Sequence, residues 1–146
     1  MKEKVSAFER AALYISRGIK TEKAIWDYLG KKEYPRAEIF EAVQKLKEYN
    51  YIDDAEYARV FVNSYHRRKG KQYIKIQLFQ KGVKGEIIEA CLEGMESQSE
   101  VVKNLAEKYM KNKPRDKATR DKLVRHLLSK GFSFEEINQA IAEDRD

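Results

Sequence analysis

Ile25, Ile74 and Leu123 stand forty-nine residues apart, and they do not stand alone. The interval returns in Leu29, Leu78 and Leu127, in Lys32, Lys81 and Lys130, and in Tyr34, Val83 and Phe132. It returns again in Ile39, Ile88 and Ile137, and in Ala42, Cys91 and Ala140. Upstream, the same offset pairs Phe8 with Tyr57 and Ala106, and Ala12 with Phe61 and Met110. Self-similarity at a fixed period of this size marks tandem structural units, each too small to bury a core alone, that stack on their neighbours. Three copies without insertions fill the chain of 146 residues.

Inside each copy the apolar residues recur three and four apart, the period of an amphipathic helix. Only two prolines and seven glycines interrupt the chain, which suits an all-helical protein. Helices are expected near 5–17, 21–32 and 36–48, near 54–69, 71–81 and 85–94, and near 99–113, 117–130 and 134–143. Thr21, Gly70 and Thr119 precede the middle helices as acceptable N-caps. Each third helix opens with a hydrophobic staple, Tyr34 to Ile39, Val83 to Ile88 and Phe132 to Ile137. Ser133 and Glu136 add a capping box to the last. The expected fold is all-α, three tandem three-helix repeats with nine helices, stacked into an elongated array, straight or curved. Repeat boundaries are expected at 1–53, 54–98 and 99–146, with Glu96-Ser97-Gln98-Ser99 as a flexible joint.

Charge is distributed unevenly over this frame. From Tyr57 to Gly85 the chain carries Arg59, Arg67, Arg68, Lys69, Lys71, Lys75, Lys81 and Lys84, and no acidic residue. Surface helices ordinarily mix both signs, because Glu and Lys four apart support each other. A solvated face is the ordinary meaning of a charge run, but an acid-free helical pair projects a positive field towards an anionic partner. Tyr65 and Tyr73 interleave with the cations, as in nucleic-acid-binding surfaces. A second set comprises Lys108, Lys111, Lys113, Arg115, Lys117, Arg120, Lys122 and Arg125, broken only by Asp116 and Asp121. The repeat register predicts that the two sets, with Lys113, Arg115, Lys117 and Arg120 in the second, form one stripe. The net charge of +6 agrees with an anionic partner without choosing between nucleic acid and acidic protein.

Residues that could carry catalysis have simpler readings. Asp53, with Glu56 three residues on, caps a helix, and no histidine or further carboxylate makes Asp53-Asp54 a metal site. Cys91 falls where Ala42 and Ala140 stand and reads as a small core residue. His66 and His126 flank arginines on basic faces, and Trp26 reads as packing. No phosphate-binding loop, paired-cysteine motif or Ser/His/Asp set can be assembled, so no enzyme activity, metal or cofactor is expected. A single cysteine, no apolar run near the ~20 residues of a membrane span and no signal-peptide core lead us to expect a soluble, cytoplasmic protein.

The run YNYIDDAEYA, then a basic helix, then KGKQYIKIQLFQKGV resembles the signature of the RecX family of regulatory proteins. The matching positions are Tyr51, Asp53, Asp54, Tyr57 and Ala58, then Gly70, Ile74, Leu78, Lys81 and Gly82. The sequence departs from the family pattern at Tyr73 and Gln77, and the first copy has Gly30-Lys31-Lys32-Glu33 in place of a Lys-Gly stop. The resemblance covers essentially the whole chain and implies three tandem three-helix repeats. It also implies a modulator of the recombinase RecA that binds the RecA–single-stranded DNA filament in its groove and inhibits strand exchange, ATP hydrolysis and coprotease activity. The partners it implies are the RecA filament and single-stranded DNA, with double-stranded DNA as a further candidate, for a chain acting as a monomer in DNA repair and the SOS response. The competing reading is a stand-alone nucleic-acid-binding module of tandem helix-turn-helix-like units, for which Gln72, Gln77 and Gln80 are candidate base readers.

Overall fold

The computed structural model describes residues 5–143. Among the described residues the regular structure is nine α-helices and no strand. The first copy contains α1 (Ala7–Ser16), α2 (Glu22–Lys31) and α3 (Arg36–Glu48). The second contains α4 (Asp54–Tyr65), α5 (Lys71–Gln80) and α6 (Gly85–Glu93), and the third α7 (Ser99–Met110), α8 (Lys117–Ser129) and α9 (Phe134–Glu143).

Burial follows the forty-nine-residue interval in the second and third helices of each copy. Leu29, Leu78 and Leu127 are fully buried, as are Ile25, Ile74 and Ile137, with Leu123, Tyr34, Val83, Phe132, Ile39 and Ile88 nearly so. The connection between these two helices has constant length because one backbone device closes it each time. Glu33, Gly82 and Gly131 occupy equivalent positions, and all three have positive φ, of 66°, 82° and 96°. The next amide then reaches back to the buried leucine's carbonyl, from Tyr34 to Leu29, Val83 to Leu78 and Phe132 to Leu127.

The first helices obey a different spacing. Their buried residues, Ala7 and Ala11 on α1, Ala58 and Phe61 on α4, and Val102 and Ala106 on α7, do not recur at forty-nine. The expected pairing of Phe8, Tyr57 and Ala106 is therefore out of register, as burial on α4 shows. Ala58 and Phe61 are buried there, whereas Val60 is exposed and Tyr57 and Tyr65 are half-buried. The connection from first to second helix is five residues in the first two copies and six in the third, so its length alone does not account for the shift. Thr119 is likewise not a cap: α8 starts a turn earlier, where Asp116 accepts from the Thr119 amide at 2.8 Å. Cys91 is half-buried, less enclosed than Ala42 and Ala140.

The described chain forms two compact units, and the middle copy contributes to both. The first unit runs to Val60 and includes Leu78–Ile88; the second takes Phe61–Gln77 and the chain from Glu89 onwards. In the first, Ala7, Ala11, Ile25, Leu29, Val43 and Leu46 lead the core, with Trp26 packed against it as expected. Asp53 and Asp54 are both helix-end residues here. Asp53 caps α4 through the Glu56 amide at 3.1 Å, and Asp54 accepts from the Glu22 amide of α2 at 3.0 Å. In the second unit, Val102, Ala106, Leu123, Leu127, Phe132 and Ile137 form the core.

Two glycines of the second unit are required by close approach. A Cβ on Gly70 would lie 2.1 Å from the Gly131 carbonyl oxygen, and one on Gly131 would lie 2.5 Å from Tyr73. The start of α5 and the end of α8 therefore meet backbone to backbone, with the Gly70 amide donating to Lys130 at 2.9 Å and the Gln72 amide to Gly131 at 3.2 Å.

Candidate functional site

The second unit gathers cations and rings around the end of α4 and the α7–α8 connection. α4 ends at Tyr65, four residues before the expected end, so Arg67, Arg68 and Lys69 belong to a turn and not to a helix. Gln98 fixes that turn. Its side chain is 2 % exposed, and its amide donates to the carbonyls of His66 at 2.9 Å and Lys69 at 2.8 Å. Carbonyls at a helix end have no intrahelical donor, and a buried side-chain amide satisfies two of them at once. The other amide atom, Gln98 Oε1, is buried without a partner among the described residues. The segment expected as a flexible joint thus contains the residue that holds the basic turn.

Beyond the turn, rings and cations alternate. The Arg68 guanidinium lies 4.5 Å from the Tyr65 ring centre and the Lys69 ammonium 4.6 Å from that of Tyr73. Tyr65 and Tyr73 are tilted against each other at 5.9 Å, and Phe61 lies 4.5 Å from Tyr65. In the third copy the Lys113 ammonium is 3.4 Å from the Tyr109 ring centre, and Tyr109 meets His126 at 5.0 Å. Such cation–ring contacts contribute about 0.5–1 kcal/mol each at exposed sites and hold long side chains in place. His126 registers the resulting field. Loss of hydration, then the charges of Lys130, Lys113 and Lys69, hold its imidazole below the ordinary histidine range.

The expected contact residues do not behave alike. Arg67, Arg68, Lys69 and Lys71 lie around the turn, and Lys69 and Lys113 act on the same histidine. Arg115 and Lys117 are exposed beside the α8 cap and Arg120 is half-buried on α8. Lys75 is paired with Glu89 at 3.4 Å, so part of its charge is already matched. Arg59, Lys81 and Lys84 belong to the first unit, and Arg59 is ion-paired with Glu56 of its own helix. An acid-free stretch of sequence is therefore not free of acids in space, because Glu56 and Glu89 flank it. Sequence reasoning missed Gln98, Tyr109, Lys130 and His126. The Lys130-Gly131 stop was a visible signal for one of them, but only the contact with Gly70 gives it a role.

Fold and surface together define a class, the tandem three-helix-repeat protein that presents cations on tyrosine rings. Family models for the RecX first, second and third three-helix domains match residues 7–46, 53–92 and 96–141. The chain belongs to the RecX family. It is 37% identical over 141 residues to the regulatory protein RecX of Clostridium botulinum (strain Alaska E43 / Type E3), covering 92% of this chain and 66% of that protein. It is 34% identical to the regulatory protein RecX of Bacillus pumilus (strain SAFR-032), covering 95% and 55%. The chain thus spans two thirds or less of the length of these relatives. The crystal structure of RecX from Lactobacillus salivarius superposes with a TM-score of 0.86 at 30% identity, covering 94% of this chain and 93% of that one.

Proposed function

We propose that this protein is a non-enzymatic regulator of RecA that binds the RecA–single-stranded DNA filament and inhibits strand exchange, ATP hydrolysis and coprotease activity. It acts in the cytoplasm as a monomer, without a cofactor, and the surface around the turn of Arg67, Arg68, Lys69 and Lys71 makes the contact. The observation that supports this reading is the anchoring of that turn. Gln98 and the Gly70–Lys130 hydrogen bond fix a cationic, tyrosine-lined surface that helix packing alone does not call for. Pre-organised cations bind polyanions with less ordering cost than free side chains do. Arg115, Lys117 and Arg120 extend the surface, and Lys75, paired with Glu89, contributes less; Arg59, Lys81 and Lys84 of the first unit are not assigned to it. Among the described residues no helix is long and apolar enough to cross a membrane.

The test is RecA's single-stranded-DNA-dependent ATPase. Substoichiometric amounts of this protein should suppress it, since one regulator on a filament blocks several protomers. DNA binding with no effect on the ATPase at any ratio would instead support the stand-alone nucleic-acid-binding module.

A further inference from the structure

Lys69, Lys113, Lys130 and His126 converge in the second unit from three separate segments. The Gly70–Lys130 hydrogen bond sets Lys69 beside Lys130 through the main chain, and Gln98 holds the Lys69 carbonyl from its own side. His126 lies one turn before Lys130 on α8, and the Tyr109 ring carries both His126 and the Lys113 ammonium. Among the described residues, none of the three lysines makes an ion pair. The charges that reach His126 are these three, from the α4–α5 turn, the segment after α7 and the end of α8, and no carboxylate is among them. Like charges fixed around one imidazole repel each other in the free protein, and a bound anion relieves that repulsion.

We propose that Lys69, Lys113, Lys130 and His126 form a binding site for a backbone phosphate of single-stranded nucleic acid, with Tyr65, Tyr73 and Tyr109 as the adjoining rings. This rests on the reading of the protein as a regulator of a DNA-bound filament and deepens it, by assigning this surface to the strand. An acidic protein surface would be met by the cations alone. Rings interleaved with cations suit a strand, whose bases stack on aromatic faces while its phosphates are neutralised. The site is also proton-linked. In the free protein the surrounding lysines disfavour the charged imidazole of His126; a phosphate beside it favours that form, so binding takes up a proton in the range where His126 titrates. By reciprocity affinity rises as pH falls, by at most about tenfold per pH unit for one proton.

A fluorescent oligothymidylate titrated with the full chain at constant salt tests this. Affinity should strengthen severalfold from pH 8 to pH 6, and His126→Gln should remove most of that dependence while retaining binding at pH 8. The triple change Lys69→Gln, Lys113→Gln and Lys130→Gln should flatten the slope of log affinity against log salt by about 2, at about 0.7 per single-strand phosphate contact. Should Lys130→Gln disturb α8, as read by circular dichroism, the Lys69→Gln, Lys113→Gln pair should still flatten it by about 1.4. A pH profile identical in wild type and His126→Gln, or an unchanged salt slope in the multiple variants, overturns the site. If oligothymidylate does not bind, yet the triple variant loses ATPase inhibition, the surface faces acidic protein; the phosphate site then fails and the regulator reading stands. If the oligonucleotide results hold but the wild type never inhibits the ATPase, the site stands and the regulator reading fails.

Discussion

The first and second units build the same device, an aromatic pair bridging the first two helices of a copy, and use it differently. Tyr28 and His126 stand two repeat intervals apart, on α2 and α8. Tyr28 stacks flat on Tyr14, with centroids 4.0 Å apart and planes 7° apart, and Lys20 lies 4.6 Å from the Tyr14 ring centre. Lys23 pairs with Asp27 at 3.1 Å and Lys47 with Glu22 at 2.9 Å, while Lys20 and Lys32, the cations over the two rings, make no ion pair among the described residues. His126 meets Tyr109 at a tilt of 31°, and the lysines around it make no ion pair among the described residues. A flat stack of two tyrosines is packing. A tilted imidazole that feels three lysines can respond to a ligand. The repeat supplies the position, and the residue type at that position sets its use.

A second contrast, between copies and not between units, appears in the backbone. Gly82 and Gly131 turn the chain where another segment crowds them, Lys23 lying 2.6 Å from a Cβ placed on Gly82. Glu33 makes the equivalent turn exposed to solvent, so a side chain is tolerated there at the cost of a left-handed residue, about 1–2 kcal/mol. This accounts for the first copy's departure from the Lys-Gly stop.

The comparison can be broken in four places. Leu29→Ala and Leu127→Ala, equivalent core truncations in the two units, should each cost about 2–5 kcal/mol in chemical denaturation. A loss below about 1 kcal/mol at either would mean that the copies are not equivalently packed. Gly70→Ala should cost about 1–3 kcal/mol through overpacking against Gly131, whereas Glu33→Gly should be neutral or stabilising. Equal losses at the two positions would remove the distinction between crowded and open turns. Asp54→Ala should cost about 1 kcal/mol as a lost helix-end acceptor, and Asp54→Asn much less, because its carbonyl still accepts from Glu22. The smallest effect is on pH dependence. Burial raises the Asp54 carboxyl above its ordinary value, although the Glu22 amide lowers it. A raised folded-state value favours the fold at low pH, so this contribution is lost as pH rises from the unfolded-state value through the raised one. Asp54→Asn should therefore flatten the stability profile across that acid window, and a steeper profile would contradict the assignment.

Much of the fold was legible because its signals are local. Staples, caps and the Lys-Gly stops act within five residues, and they located all nine helices to within a few positions. The end of α4 was misplaced because Arg67, Arg68 and Lys69 are good helix formers. What stops the helix there involves Gln98, about thirty residues away, an amide that reads as joint material until its burial is seen. Lys130 and His126 were invisible as partners of Lys69 for the same reason, since sixty residues separate them in sequence. Lys75 and Arg59 looked available because their carboxylate partners lie just outside the acid-free stretch.

The central claim is that the second unit's cationic turn, and not cationic surface in general, makes the functional contact. The direct measurement compares two quadruple variants for inhibition of RecA's DNA-dependent ATPase. One changes Arg67, Arg68, Lys69 and Lys71 to glutamine; the other changes Lys20, Lys23, Lys31 and Lys32 of the first unit. Helix propensity is nearly conserved in both, so both should melt close to wild type. The first should lose inhibition at least tenfold in the concentration required, and the second should keep it within about twofold, at about 1.4 kcal/mol per factor of ten. Equal loss in both, or wild-type inhibition by the first, would contradict the claim and leave the turn a solvated face.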